Sequence, residues 1–136
     1  AASMIDEYPI LSIAAACASG KTHMVGVSEL RVKETDRIAV MAEGLRRCGV
    51  EIDETDDTMT VLGTNSGGDD ISAHGAIAGG VIIASQHDHR IAMSFLTLGM
   101  VSKSPIIVED VSTIATSFPG FAALMNHAGA KIERQS

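Results

Sequence analysis

Three short charged clusters hold most of the side chains able to do chemistry in this 136-residue sequence: Asp6-Glu7 ahead of Pro9, Lys33-Glu34-Thr35-Asp36-Arg37, and Asp88-His89-Arg90. Each falls just before, or within the first turn of, a segment with helical spacing. Free backbone N–H groups and the helix dipole make such a place attractive to anions, and an Arg or Lys there adds recognition of phosphate or carboxylate. A cation in a first turn works against its own helix by roughly 0.3–1 kcal/mol, so Lys33, Arg37 and Arg90 point to a small, highly charged ligand. The plainer reading is that Glu34 and Arg37 pair on a solvated face, worth about 0.2–0.5 kcal/mol, while Asp36 and Asp88 are ordinary helix caps.

Other motifs carry less. Gly20-Lys21-Thr22 resembles the tail of a phosphate-binding loop, but the earlier glycine of that motif falls on Ala15. His87 and His89, with His74 upstream, are donors a metal accepts, yet no third ligand stands at a persuasive spacing. Cys17 and Cys48 form neither a C-x-x-C nor a disulfide framework, which fits a reducing cytoplasm.

The elements that must position the clusters follow an α/β plan. Apolar residues make up 46% of the chain, enough for one domain with a real core. A formal charge of −7 repels nucleic acid and acidic membranes, and one Tyr with three Phe leaves no platform for stacking bases. The run from Ile10 to Ala18 is too short to span a membrane. Because Ala1-Ala2-Ser3 leads straight into an apolar helix without an initiator Met, the chain is expected to be a piece of something larger.

Helices are expected over 9–19, 34–48, 89–101 and 118–128, with strands over 21–30, 50–53, 58–62, 81–84, 105–108 and 129–132. Residues 65–80, rich in Gly, Asp and Ser, read as a connector. The helix–Gly–strand junction at 45–52 recurs 80 positions later at 125–132, which suggests repeat units of about 4–64 and 81–134.

MIDEYPILSIAAACASG, ELRVKETDRI, DHRIAMSFL and TSFPGF, in this order and with these gaps, resemble the C-terminal part of the 3-phosphoshikimate 1-carboxyvinyltransferase (enolpyruvylshikimate phosphate synthase) family. The wording MIDEYP and ATSFP is closer to its glyphosate-tolerant bacterial class. The resemblance implies an inverse α/β barrel of βαβαββ units, of which this chain would supply about two of the three in the C-terminal domain. The N-terminal domain would be a missing partner, with substrates bound in the cleft between the two. It further implies a cytoplasmic transferase of the shikimate pathway, which leads to chorismate and the aromatic amino acids, with no cofactor.

The implied chemistry moves the enolpyruvyl group of phosphoenolpyruvate onto the 5-hydroxyl of shikimate 3-phosphate and releases phosphate. It needs a base, a reversible acid and several cations. By resemblance Asp6 binds the shikimate ring and serves as base toward its hydroxyl. Glu34 serves the methyl carbon, Lys33 contacts the shikimate substrate, and Arg37 and Arg90 clamp phosphoenolpyruvate with His89 beside them. Thr116 stands where many members carry Lys, and Glu29-Leu30 where many carry Asn-Trp. Two other readings are an enolpyruvyl transferase acting on UDP-N-acetylglucosamine, and a non-catalytic anion-binding or scaffold module.

Overall fold

A computed structural model describes residues 6–64 and 77–133, except for the side chains of 116 and 117. Most of the proposed connector, residues 65–76, therefore lies outside the described residues, as do His74 and the ends of both proposed repeats.

Helix α1, Tyr8–Cys17, carries Pro in its first turn and buries Ser12, Ile13, Ala15 and Ala16. Proline has no N–H to lose there, so it starts the helix without cost to the ladder. The Ser12 hydroxyl donates to the Pro9 carbonyl at 2.6 Å. At the other end, both the amide and the hydroxyl of Thr64 donate to the Ala16 carbonyl.

Strands β1 (Lys21–Val25), β2 (Glu51–Glu54) and β3 (Thr58–Leu62) form one antiparallel sheet in the order β1-β3-β2. The register pairs Met24 with Met59 and Ile52 with Val61, so four buried apolar side chains face the core from three strands. The expected strand over 21–30 stops at Val25. Gly26 takes φ +70°, and Ser28–Val32 winds into a 3-10 turn whose buried anchor is Leu30. Helix α2, Arg37–Arg47, follows, capped by the Asp36 carboxylate, which accepts from the Ala39 amide at 3.1 Å. Ile38, Met41, Ala42 and Leu45 are buried on its inner face, the spacing an amphipathic helix requires.

The second half has a different sheet. Strands β4 (Ile82–Ala84) and β5 (Ile107–Glu109) run parallel, joined through helix α3, His89–Leu98. Two short helices close the chain, α4 (Ser112–Ser117) and α5 (Phe121–His127). Helix α4 was not expected, and α5 starts three residues later than expected because Gly120, at φ +80°, breaks the path between them. The expected strand over 129–132 is absent. Instead the Asn126 amide holds Ile132 in both directions, at 3.0 and 2.7 Å, and no described strand runs beside it.

The two helix–Gly junctions nevertheless share their bonding. Val50 N–H closes on the Leu45 carbonyl and Ala130 N–H on the Met125 carbonyl, both at 3.0 Å, with Gly49 and Gly129 at positive φ. Each is braced by the residue that follows: Arg46 donates to the Ile52 carbonyl as Asn126 does to that of Ile132.

One apolar core spans both halves, from Ile13 and Met24 through Ile38, Met41 and Leu45 to Ile83, Ile91 and Phe95. The Phe95 ring lies directly over Gly44, so α3 crosses α2 where α2 has no side chain. Helices α1, α2 and α3 thus pack on one another with their N-termini at one end of the molecule. Among the described residues no helix is long and apolar enough to cross a membrane.

Candidate functional site

The three helix starts meet around Arg37. The 3-10 turn delivers residues 33–36, Asp36 caps α2, and Arg37 then points inward, its side chain only 2% exposed. A type I′-like turn delivers the other face: Asp88 N–H closes on the Ser85 carbonyl at 3.0 Å, with Gln86 and His87 at φ +55° and +63°. Such values are unfavourable for residues with a Cβ. Buried Ser85 anchors the turn, its hydroxyl shared between the carbonyls of Glu109 and Asp110.

Asp88 is fully buried and accepts from five donors. Arg37 Nε and Nη2 reach its two oxygens at 2.9 and 3.3 Å, and the Thr35 hydroxyl donates at 2.9 Å. The amides of Arg90 and Ile91, in the first turn of α3, donate at 3.0 and 3.3 Å. Burial is the largest single influence on this carboxyl and pushes its pKa up. The hydrogen bonds and charge of Arg37, with the Thr35 hydroxyl and the Ile91 amide, outweigh it and hold the group below the ordinary carboxylate value.

The outer edge of the Arg37 guanidinium meets two more carboxylates. Nη1 donates to Asp6 at 3.1 Å and Nη2 to Glu34. Asp6 and Glu34 are both about half exposed, so this side of the cluster opens to solvent. Lys33 Nζ lies 3.8 Å from Asp6 and 3.9 Å from Glu29. Arg90 Nη1 lies 3.4 Å from the Asp6 carbonyl. The side-chain polar atom of His89 lies within 4.8 Å of those of Glu34 and Asp88. Every residue the sequence put forward for the site therefore converges on one place: Asp6, Lys33, Glu34, Arg37, His89 and Arg90.

Two features differ from what spacing suggested. Asp88 is more than a cap, because it is also the inner partner of Arg37. Arg31, a basic residue of the same stretch, turns away and ties the β2–β3 turn to the α2 cap, donating to Asp36, Glu54 and the carbonyls of Thr55 and Asp56. The Asp36 hydrogen bond is the leading reason its pKa is raised.

Glu34, Asp88 and His89 are close enough together for a cation. The donor set does not suit one, since Asp88 spends its lone pairs on five donors and Arg37 sits against it. The arrangement suits anion chemistry better: three cations, Lys33, Arg37 and Arg90, stand at the helix starts beside two solvent-facing carboxylates that an anion could replace. Two surface depressions lie elsewhere. One, between α1 and β1, is lined by Leu11, Ala14 and Met24; the other, beside α2, by Val40, Glu43 and Ile83.

The family model described as EPSP synthase (3-phosphoshikimate 1-carboxyvinyltransferase) matches residues 1–134. A 3-phosphoshikimate 1-carboxyvinyltransferase from Parvibaculum lavamentivorans is 53% identical over 130 residues, 96% of this chain and 27% of the relative. One from Dinoroseobacter shibae is 53% identical over the whole chain and 28% of its own length. An EPSP synthase structure from Acinetobacter baumannii superposes with a TM-score of 0.89 at 49% identity, covering 97% of this chain and 29% of that one. The chain thus spans little more than a quarter of the length of the proteins it matches.

Proposed function

The chain belongs to the EPSP synthase family, and from that premise we propose that it is one wall of a carboxyvinyl transfer site. The reaction it would serve transfers the enolpyruvyl group of phosphoenolpyruvate to the 5-hydroxyl of shikimate 3-phosphate in the cytoplasm. The observation that carries this reading is the convergence of the α1, α2 and α3 starts on Arg37.

The roles are those the family resemblance implies, and the positions are compatible with them. Asp6 and Glu34, the two solvent-facing carboxylates, are assigned to proton transfer: Asp6 takes the proton of the attacking hydroxyl, and Glu34 serves the methylene carbon. Arg37 and Arg90 hold phosphoenolpyruvate with His89 beside them, and Lys33 contacts the shikimate substrate. In this structure the Arg37 N–H groups are engaged by Asp6, Glu34 and Asp88. Binding of phosphoenolpyruvate therefore means that its carboxylate replaces Glu34 or Asp6 on the outer edge. That exchange leaves Glu34 beside the carbon it must serve.

The sharing of bonds by the junctions at 45–52 and 125–132 supports two repeat units, about 4–64 and 81–134. The remaining cations of the site would come from a partner domain, and the 136 residues alone would turn over little or no substrate.

Splicing these residues in place of the matching stretch of the Parvibaculum lavamentivorans transferase tests the reading. Phosphate release that depends on both substrates is expected, and its loss in the Glu34→Gln and Arg90→Ala chimeras. A well-folded chimera without turnover would overturn the proposal. Normal turnover by the isolated chain would overturn its inactivity.

A further inference from the structure

The side-chain hydrogen bonds of Arg37 divide by face. Nε and Nη2 grip the two oxygens of Asp88 side-on, and this leaves Nη1 and the outer N–H of Nη2 as an end-on fork toward Asp6 and Glu34. A planar guanidinium held along one edge has its other edge aimed. Asp88 itself is held from three directions: by the Arg90 and Ile91 amides of α3, by the Thr35 hydroxyl ahead of α2, and by the turn at Gln86 and His87 that the Ser85 anchor fixes. No charge-balance argument requires that many constraints on one carboxylate.

We propose that Asp88 is a positioning residue, whose buried carboxylate aims the outer fork of Arg37 at the carboxylate of the incoming anionic substrate. The inference rests on the reading of Arg37 as an anion-binding group given above. It goes further by naming what orients that group and by linking the α2 start to the α3 start, so that Arg37 and Arg90 are placed together.

Charge and orientation predict opposite signs, which makes the claim testable. Removing a negative charge next to Arg37 strengthens the attraction of the site for an anion. Removing the group that aims Arg37 weakens it. Asp88→Asn keeps the size and an acceptor oxygen for the α3 cap while deleting the charge.

The experiment is a phosphoenolpyruvate titration of the chimeric transferase described above and of its Asp88 and Thr35 variants, followed through the side-chain N–H signals of Arg37 and Arg90 by NMR, with thermal melts alongside. Asp88→Asn is expected to bind about tenfold more weakly, the loss of roughly one charged hydrogen bond, with Arg37 responding less than Arg90. Thr35→Val, which removes one bond to Asp88 without touching a charge, covers the case in which Asp88→Asn does not fold. It is expected to weaken binding about two- to threefold, the lower end for one neutral hydrogen bond acting at one remove. Equal or tighter binding by the folded variants overturns the positioning role, whatever happens to the melting temperature. No response of either arginine in the unsubstituted chimera at millimolar phosphoenolpyruvate overturns the anion-binding reading itself, and the positioning role with it.

Discussion

Replacing Arg37 by Met removes the only charged partner that Asp88 has among the described residues. Breaking a buried ion pair from one side costs about 3–5 kcal/mol. Three donors remain on Asp88, the Thr35 hydroxyl and the amides of Arg90 and Ile91, so the lower end, about 3 kcal/mol, applies here. Against a total stability of about 5–15 kcal/mol that is a large fraction. The more telling effect is on pH dependence. In the wild-type chain the Asp88 carboxyl sits below its unfolded value. It contributes stability that is present above the unfolded pKa and lost as pH falls through the folded one.

Without Arg37, burial is opposed only by neutral donors, and the folded pKa rises. The stability that ionised Asp88 contributes at neutral pH shrinks by the amount of that rise. Urea unfolding of both chains at several pH values between 3 and 7 checks this. The stability gap between wild type and Arg37→Met is expected to widen as pH rises, and Arg37→Met/Asp88→Asn to recover about 1–2 kcal/mol of it at neutral pH. A gap that stays constant across the range, or a double variant no better than the single one, refutes the account of Asp88 as a buried charge held by Arg37.

Three further outcomes follow from the packing. Gly44→Ala gains about 1 kcal/mol in helix propensity but drives a methyl into the Phe95 ring. Overpacking costs about 1–3 kcal/mol, so chemical denaturation should show a net loss. Gln86→Gly relieves a positive φ, and the roughly 1–2 kcal/mol of strain exceeds the entropy lost by roughly 0.5 kcal/mol, so the melting temperature should rise. Cys48 is buried, and burial pushes its thiol pKa up. At neutral pH it should react with a thiol reagent only at the rate of unfolding, whereas half-buried Cys17 reacts in the folded chain; fast labelling of both would sink that expectation.

Helices α1, α2 and α3 were legible because proline and Asp mark their starts, Gly20 and Gly49 follow the first two, and the apolar residues of α2 recur at helical spacing; α3 stops at Leu98 with Gly99 as its cap, three residues short of the expected end. The β2–β3 hairpin was legible from its acidic turn, where the Thr55 amide closes on the Thr58 carbonyl. What failed was local sequence that depends on distant partners. Residues 129–132 look like β1 or β2 but have no strand beside them among the described residues, and a strand is stable only in a sheet. Helix α4, six residues of Ser, Thr, Ile and Ala, has neither periodicity nor a side-chain cap to announce it.

The site was legible as three clusters but not as a circuit. Arg37 and Asp88 are 51 positions apart, and Asp directly before a helical run is sufficiently explained as a cap. One signal was present. Arg37, Met41, Leu45 and Cys48 fall on one stripe of α2, so an arginine sits where a core residue belongs. An arginine on a buried face requires a buried partner, and that demand is readable in the sequence alone. The two sequence readings of ELRVKETDRI are therefore not alternatives. Glu34 does pair with Arg37, as the plain reading required, although Arg37 is buried and not on a solvated face; Glu29 with Lys33 and Arg31 with Asp36 are further pairs which that reading did not name. The same arrangement leaves two carboxylates on the solvent side of a fixed guanidinium, the place where the proposed function has an anionic ligand exchange with them.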